Sequence, residues 1–418
     1  MPYTRIDAFK LENGLKVLMA PGGASPVANL EVWYHVGSKD ERSGMTGFAH
    51  LFEHLMFDGT RNIPAGEFSN YIVRSGGIDN AYTTEDATVF WETMPSAELP
   101  VALWLEADRM RNLQITQSTF RKERDVVEEE RRQRFDNQPY GGVVEALYAH
   151  AFTRSPYHHM PIGSMQDLDR ASLDRVKSFY DAYYVPGNAT LVITGQFDEG
   201  EARKDIEEYF GALPAGTDAI ARDYAQEPVQ GAERVAKLAT DAALPAFVEG
   251  FHMPADGTPD SYPLRLAAKI LADGESSWIY QRLVYRDQMA MQVDSEGDFS
   301  ELPNLFFVFA VMNPGRTSPE GEAQVTQVLS KLKSGETTAE DLDRAKNEVL
   351  RDAALTRQSA QGRADALGYD AVILKDPDLY NTEMARVMRV TAADIQRAAQ
   401  KYFTRRNLTL VEVYPRSQ

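Results

Sequence analysis

The feature that most constrains this chain is that it repeats itself. Asp174-Arg175-Val176, then Tyr183-Tyr184, then Asn188-Ala189-Thr190-Leu191-Val192 closes the first half. Asp394-Ile395, then Tyr402-Phe403, then Asn407-Leu408-Thr409-Leu410-Val411 closes the second. In both, a capped helix ends on an aromatic pair and turns through Asn into an apolar strand. Asn188 and Asn407 lie about half the chain length apart, which implies two homologous domains. The Asn-x-Thr triplets have the form of glycosylation acceptors, but their recurrence at one place in both copies reads as a structural turn. Between the copies, Pro214–Glu233 is rich in Ala, Gly and Pro and shows no periodicity. The expected organisation is therefore a domain at 1–215, a linker at 216–233 and a homologous domain at 234–418.

Within the first copy, Leu11–Met19 and Val27–Val36 read as strands. Gly47–Phe57 reads as a helix capped by Thr46 with Gly59 beyond its end, and Pro64–Ser75 as a second helix closed by Gly76-Gly77. Asn80–Thr84 and Thr88–Met94 look like strands, Leu99–Asn112 and Thr119–Phe135 like helices. Short strands without steady strand–helix alternation point to α+β domains, each a mainly antiparallel sheet packed with helices. Hydrophobic residues at 43% and charged residues at 25% fit a folded globular chain. No apolar run approaches the about 18 residues of a membrane span. A net charge of −18 argues against nucleic acid and anionic membranes as partners. Met1-Pro2-Tyr3-Thr4-Arg5 carries no apolar signal core, so the expectation is a cytoplasmic chain, or a periplasmic one if the sequence is a trimmed mature form. The absence of cysteine removes disulfides, thiol nucleophiles and Cys-type zinc sites, so a catalytic metal must use His, Asp or Glu.

His50-Leu51-Phe52-Glu53-His54 has the information such a site needs. On a helix, positions 50, 53 and 54 share one face, because residues three and four apart are neighbours. Two imidazoles one turn apart can reach a single tetrahedral ion at about 2.0–2.1 Å. Glu53 projects from the same face and can take a proton from the attacking water. His-x-x-Glu-His is the reverse of the commoner His-Glu-x-x-His order and belongs to the zinc-peptidase patterns.

A catalytic zinc takes a third protein ligand and keeps one position open. The acids of Glu123-Arg124-Asp125-Val126-Val127-Glu128-Glu129-Glu130 are the best source. Glu130 lies on the helical stripe of Val126, Val127 and Glu123 and is the ligand candidate. Glu123, two turns earlier, is a candidate to orient a histidine. Glu128 and Glu129 point round toward Arg124, Asp125 and Arg132 and read as a solvated surface. His35, His150 and His252 stand alone, and the adjacent His158 and His159 cannot readily present both rings to one ion. Met289, Met291 and Phe306-Phe307-Val308-Phe309 read as core.

On these residues the chain resembles the pitrilysin family, which includes insulin-degrading enzyme, mitochondrial processing peptidase and short bacterial relatives. Gly47-Phe48-Ala49-His50-Leu51-Phe52-Glu53-His54-Leu55-Met56-Phe57 carries the resemblance. Gly76-Gly77-Ile78-Asp79-Asn80-Ala81-Tyr82-Thr83 and Glu123 to Glu130 support it. It implies a zinc endopeptidase of two similar α+β domains, forming half of a clamshell that closes over a chamber. His50, His54 and Glu130 would bind Zn2+, and Glu53 would be the general base. Asn80 and Ala81 would belong to an edge strand that pairs with a peptide substrate.

The chain also departs from that family. Where self-sufficient members carry an Arg after a Ser-Ser pair, this chain has Ser276-Ser277-Trp278, and where they carry a Tyr it has Met291. Neither Trp nor Met supplies a cation or phenol to a tetrahedral oxyanion. The expectation is a heterodimer whose homologous partner subunit supplies the missing Arg and Tyr. The alternatives are a non-catalytic, zinc-stabilised scaffold subunit and a self-sufficient homodimer. An intact Glu53 weighs against the scaffold, since a structural metal needs no general base.

Overall fold

A computed structural model describes residues 2–216 and 220–416. Six strands make the first sheet: β1 (Asp7–Lys10), β2 (Lys16–Pro21), β3 (Val27–Tyr34), β4 (Ile78–Thr83), β5 (Thr88–Pro95) and β6 (Ala189–Gly195). Their spatial order is β1-β2-β6-β3-β5-β4. Five strands make the second: β7 (Arg234–Thr240), β8 (Ala246–His252), β9 (Ala290–Gly297), β10 (Leu305–Met312) and β11 (Leu408–Pro415), in the order β7-β11-β8-β10-β9. In each sheet one neighbouring pair is parallel, β2 with β6 and β7 with β11, and the others are antiparallel. The architecture is two α+β units, as the strand and helix pattern implied. Among the described residues, no helix is long and apolar enough to cross a membrane.

The repeat supplies an interior strand of each sheet. These two strands, β6 and β11, each follow a helix and a short turn ending in Asn. Asn188 Nδ2 donates to the carbonyls of Tyr183 (2.9 Å) and His35 (3.3 Å). Asn407 Nδ2 donates to those of Tyr402 (2.7 Å) and His252 (2.9 Å). Each amide thus ties a helix end to the end of the neighbouring strand, which is why Asn recurs there. Tyr34 packs on Tyr184 at 4.9 Å between ring centroids, and Phe251 on Phe403 at 5.5 Å. β6 is buried along its whole length, as a central strand covered on both faces must be.

The compact units are not contiguous halves. The first contains the residues up to Arg131, Met160–Asp223 and Ala354–Asn381. The second contains Arg132–His159, Tyr224–Ala353 and the residues from Thr382 onward. The expected cut at 215 and 234 divides the sheets, but each half lends one helix to the other unit. Val143–Ala151, from the first half, packs on β8 and β11, while Ala360–Val372, from the second, packs on β3 and β6. The contacts have opposite shapes at equivalent places. Trp33 pairs with Thr190 across the first sheet, and Gly250 with Thr409 across the second. A Cβ on Gly368 would sit 2.2 Å from Trp33 Cε2, and one on Gly250 would sit 2.8 Å from Leu147 Cδ1. Sheet-large meets helix-small in one unit, and sheet-small meets helix-large in the other.

Several local expectations shift. The run Leu11–Met19 is not one strand: Asn13-Gly14 makes a hairpin turn between β1 and β2. The helix expected from Pro64 begins at Phe68, because Gly66 takes a left-handed φ of +77°. The linker expected at 216–233 includes residues 217–219, which lie outside the described residues. Elsewhere it is pinned: Arg222 donates to the His35 carbonyl at 2.8 Å, and Glu227 accepts from the Arg154 amide at 2.8 Å.

Candidate metal centre

The motif helix spans Phe48–Leu55, and its two faces have separate tasks. Phe48, Leu51, Phe52 and Leu55 are buried with the spacing of an inward stripe. Phe52 lies 4.9 Å from Tyr184 and 5.7 Å from Phe179, ring to ring. That packing turns His50, Glu53 and His54 the other way. The cap is not Thr46 but Gly47, whose φ of +91° is left-handed and whose Cβ, if present, would lie 2.8 Å from the Ile162 carbonyl. The orphan helix amides of Gly47 and Ala49 donate to Glu41 at 2.9 and 2.8 Å. Glu41 thus places an acidic side chain at the positive end of the helix. Thr46 donates instead to Asp167 at 2.6 Å.

Glu130 arrives on the acidic helix Gln117–Arg131. His50 Nε2 lies 3.1 Å and His54 Nε2 3.3 Å from the same oxygen of Glu130, Oε2. A tetrahedral ion with bonds of about 2.0–2.1 Å holds its ligand atoms about 3.3 Å apart, so the donor set fits zinc. Among the described residues this is the one group of three such side chains whose ligand atoms converge. His158 and His159 do not form another; His158 Nδ1 lies 3.0 Å from the Ser155 carbonyl.

Glu53 stands beside the three. Its Oε2 lies 3.2 Å from His50 Nδ1 and accepts from the Thr83 hydroxyl at 2.7 Å. Glu123 Oε2 is 3.7 Å from His54 Nδ1, a pairing of charge at longer than hydrogen-bond length. Lys122 holds Glu123 at 2.7 Å and Asp58 at 3.0 Å. Burial opposes a charge on His50, which is 8% exposed, but its hydrogen bonds to Glu130 and Glu53 outweigh that and push the imidazole up to about 9. Burial also opposes the Glu53 carboxylate, yet the His50 bond and charge and the Thr83 hydroxyl hold it below its ordinary range. Carboxylates that favour a proton here would favour a divalent cation in its place.

The acidic helix corrects part of the stripe argument. Val127 and Glu123 are buried, but Val126 is 43% exposed. The inward face is 123, 127 and 130, spaced by four and three. Glu128, expected on a solvated surface, is buried and pairs with Arg124 at 3.3 Å, while Glu129 is exposed. Met291, read as core, is 59% exposed. Asn80 and Ala81 lie on β4, an edge strand, with Asn80 exposed and Ala81 buried. Thr83 and Glu41 were missed. Thr83 was findable, because it lies two residues beyond buried Ala81 on the same strand face. Glu41 carried no local signal, since it caps the helix from six residues ahead of Gly47.

Comparison with known proteins gives a consistent result. The family profile described as insulinase (peptidase family M16) matches residues 16–162, and that described as peptidase M16 inactive domain matches 170–349. The zinc protease PqqE of Helicobacter pylori is 31% identical over 412 residues, 98% of this chain and 93% of that protein. A crystal structure of a protease from Helicobacter pylori has a TM-score of 0.95 at 31% identity, covering 99% of this chain and 100% of that one. A probable mitochondrial-processing peptidase subunit beta of Arabidopsis thaliana is 24% identical over 427 residues, 99% of this chain and 79% of that protein.

Proposed function

Because this chain belongs to the insulinase family of peptidases, M16, we propose that it is a zinc-dependent endopeptidase subunit acting on peptides or unfolded segments. His50, His54 and Glu130 would hold the metal and Glu53 would be the general base. The observation that carries this reading is the convergence of two imidazole Nε2 atoms on one Glu130 oxygen with Glu53 alongside. Zinc, when bound, supplies a Lewis acid that polarises the scissile carbonyl and acidifies water. Glu53, held by His50 and Thr83, takes the water proton as the carbonyl is attacked and returns it to the departing amine. β4 offers a free edge to an extended peptide, with Asn80 and Ala81 at its middle. Glu123 would orient His54.

A homologous partner subunit fits the second copy. Trp278 and Met291 stand where an Arg and a Tyr would assist a substrate in an enclosed chamber. The partner would carry that pair toward this chain's site. The test is cleavage of a quenched peptide by the zinc-loaded chain alone and mixed with a relative that lacks His-x-x-Glu-His. Mixing should raise turnover about 10²–10³-fold, the cost of a lost oxyanion-stabilising group. Full activity from the chain free of any partner overturns the heterodimer. One observation favours that second, homodimeric reading: Lys331 Nζ lies 3.8 Å from the centre of the Trp278 ring. A scaffold role is disfavoured by Glu53, and the description "inactive domain" falls on residues 170–349, which hold none of the four site residues.

A further inference from the structure

We infer that the second unit carries a binding cleft for carboxylate-rich peptide segments, built around Trp278. The choice of a peptide as occupant rests on the peptidase reading; the cleft itself does not.

The cleft has a volume of about 550 Å³ and is lined by four cations, Arg282, Arg286, Lys331 and Arg344, against two carboxylates, Glu336 and Asp341. That sign is opposite to the net −18 of the chain. What matters is which charges are already matched. Arg282 pairs with Asp287 at 2.8 Å, and Arg344 with Asp341 at 3.4 Å. Asp341 is further committed, accepting from the Thr338 hydroxyl at 2.7 Å and from Trp278 Nε1 at 3.1 Å. Among the described residues, Lys331 and Arg286 have no carboxylate within ion-pair distance. Lys331 instead lies over the Trp278 ring, where the ring's negative face holds an ammonium without neutralising it.

The position of the indole gives this meaning. Trp278 was expected to remove a cation from this place, yet the fold restores one from the helix Ser318–Lys333, 53 residues later in the chain. Two unmatched cations on separate elements, an indole, the Val328 side chain and the amides of Gln281 and Gln327 share one cleft. An inorganic anion would use the cations and leave the rest idle. A peptide bearing Asp or Glu uses all of it: carboxylates for Lys331 and Arg286, aliphatic stems for Trp278 and Val328, main chain for the amides.

The experiment is fluorescence anisotropy of labelled hexaglutamate and hexalysine on the zinc-loaded Glu53→Gln form, so that neither probe is cut. Hexaglutamate should bind saturably and hexalysine should not. Lys331→Glu with Arg286→Glu should weaken hexaglutamate at least about tenfold, and raising salt from about 20 to 200 mM should weaken it comparably. The milder Lys331→Gln with Arg286→Gln, checked for unchanged zinc content and circular dichroism, should weaken it in the same direction. Equal binding of the two peptides, no saturation, or unchanged affinity in both double variants overturns the proposal. So does displacement of hexaglutamate by inorganic phosphate at matched charge. Hexaglutamate binding by a chain whose unmodified form cuts no peptide leaves the cleft standing and removes the peptidase reading. Cleavage without such binding does the reverse.

Discussion

The two copies keep one skeleton and spend it differently. Their strands β6 and β11, each flanked on both sides, their Asn turns and their aromatic pairs, Tyr34 with Tyr184 and Phe251 with Phe403, match position for position. The helix that follows β3 turns one face to the core and carries His50, Glu53 and His54 on the other. The helix that follows β8, Ser261–Ala272, buries Leu264, Leu266, Ala267, Ile270 and Leu271 and bears no histidine. Val32 of the first sheet, paired with Leu191, corresponds to Glu249 of the second, paired with Leu410. The same fold is therefore built with and without the histidine-bearing face.

The sharpest way to break this comparison is at Glu53. Glu53→Gln should keep about one zinc per chain and lose about 10²–10⁴-fold in peptide cleavage, because an amide accepts no proton. Zinc measured by mass spectrometry beside a turnover assay decides it; near-normal cleavage refutes the role of Glu53. His50→Ala or His54→Ala should lose metal and activity together. Glu130→Gln should lose metal and Glu129→Gln should not; the opposite pattern would sink the choice between those two acids.

Next in size is Arg109, fully buried in the first unit; among the described residues of the second unit no arginine is buried. Its buried guanidinium donates to Glu106 and, at 3.1 Å, to Glu92, between the rings of Phe68 and Phe90 at 4.2 and 4.3 Å. Arg109→Met leaves two buried carboxylates facing each other and should destabilise the first unit by about 3–5 kcal/mol. A urea midpoint within error of the unmodified chain would show that the cluster is dispensable.

A smaller effect is a pH dependence carried by the second unit. Burial, with Glu322 and Glu233 nearby, pushes Glu249, which is 2% exposed, up to about 8 from an ordinary value of 4.5. The folded chain thus holds this proton more tightly than the unfolded one. The stability it confers is full below pH 4.5 and is lost as pH rises through about 8. Glu249→Gln should flatten the fall in melting temperature between about pH 6 and 9, a difference of roughly 1–3 kcal/mol. An unchanged slope would remove Glu249 from the account. Smallest of all, Asn407→Ala deletes two hydrogen bonds and Asn188→Ala the same two plus one accepted from Arg222 at 2.7 Å, so they should cost about 1–2 and about 2–3 kcal/mol. Equal costs would show that the Arg222 bond adds nothing to Asn188, and a larger cost at Asn407 would show that the repeated turn no longer does the same work in both units.

The legible parts were those in which chemistry and geometry coincide within one or two helical turns. His50, Glu53 and His54 were readable because spacing alone puts them on one face. Glu130 was readable from Glu123 and Val127, although Val126 looks outward and Glu128 is drawn in by Arg124. Thr46 was misjudged as a cap because Glu41 reaches the same amides from outside the local window. Lys331 over Trp278 was beyond reach, since no periodicity links residues that far apart in different elements. Nor does periodicity say on which sheet an amphipathic helix will lie, so the exchange of Val143–Ala151 and Ala360–Val372 was invisible.

That exchange sets a timetable for the chain as it leaves the ribosome. The helix Val143–Ala151 emerges long before β11, one of the two strands it covers, which ends at Pro415. The first sheet can be paired once β6 is out, but its cover, Ala360–Val372, is then still unsynthesised. During that wait two apolar surfaces of the chain, the early helix and the first sheet, are both uncovered. On that sheet Leu147 would meet Trp33 rather than the gap left by Gly250, two large side chains at one place. The late helix, with Gly368 in place of a side chain, would leave a void on the second sheet. The opposed sizes act as a clock guard: the first sheet waits for Ala360–Val372 and the second for β11, and in each the partner that arrives has the size its own sheet leaves room for.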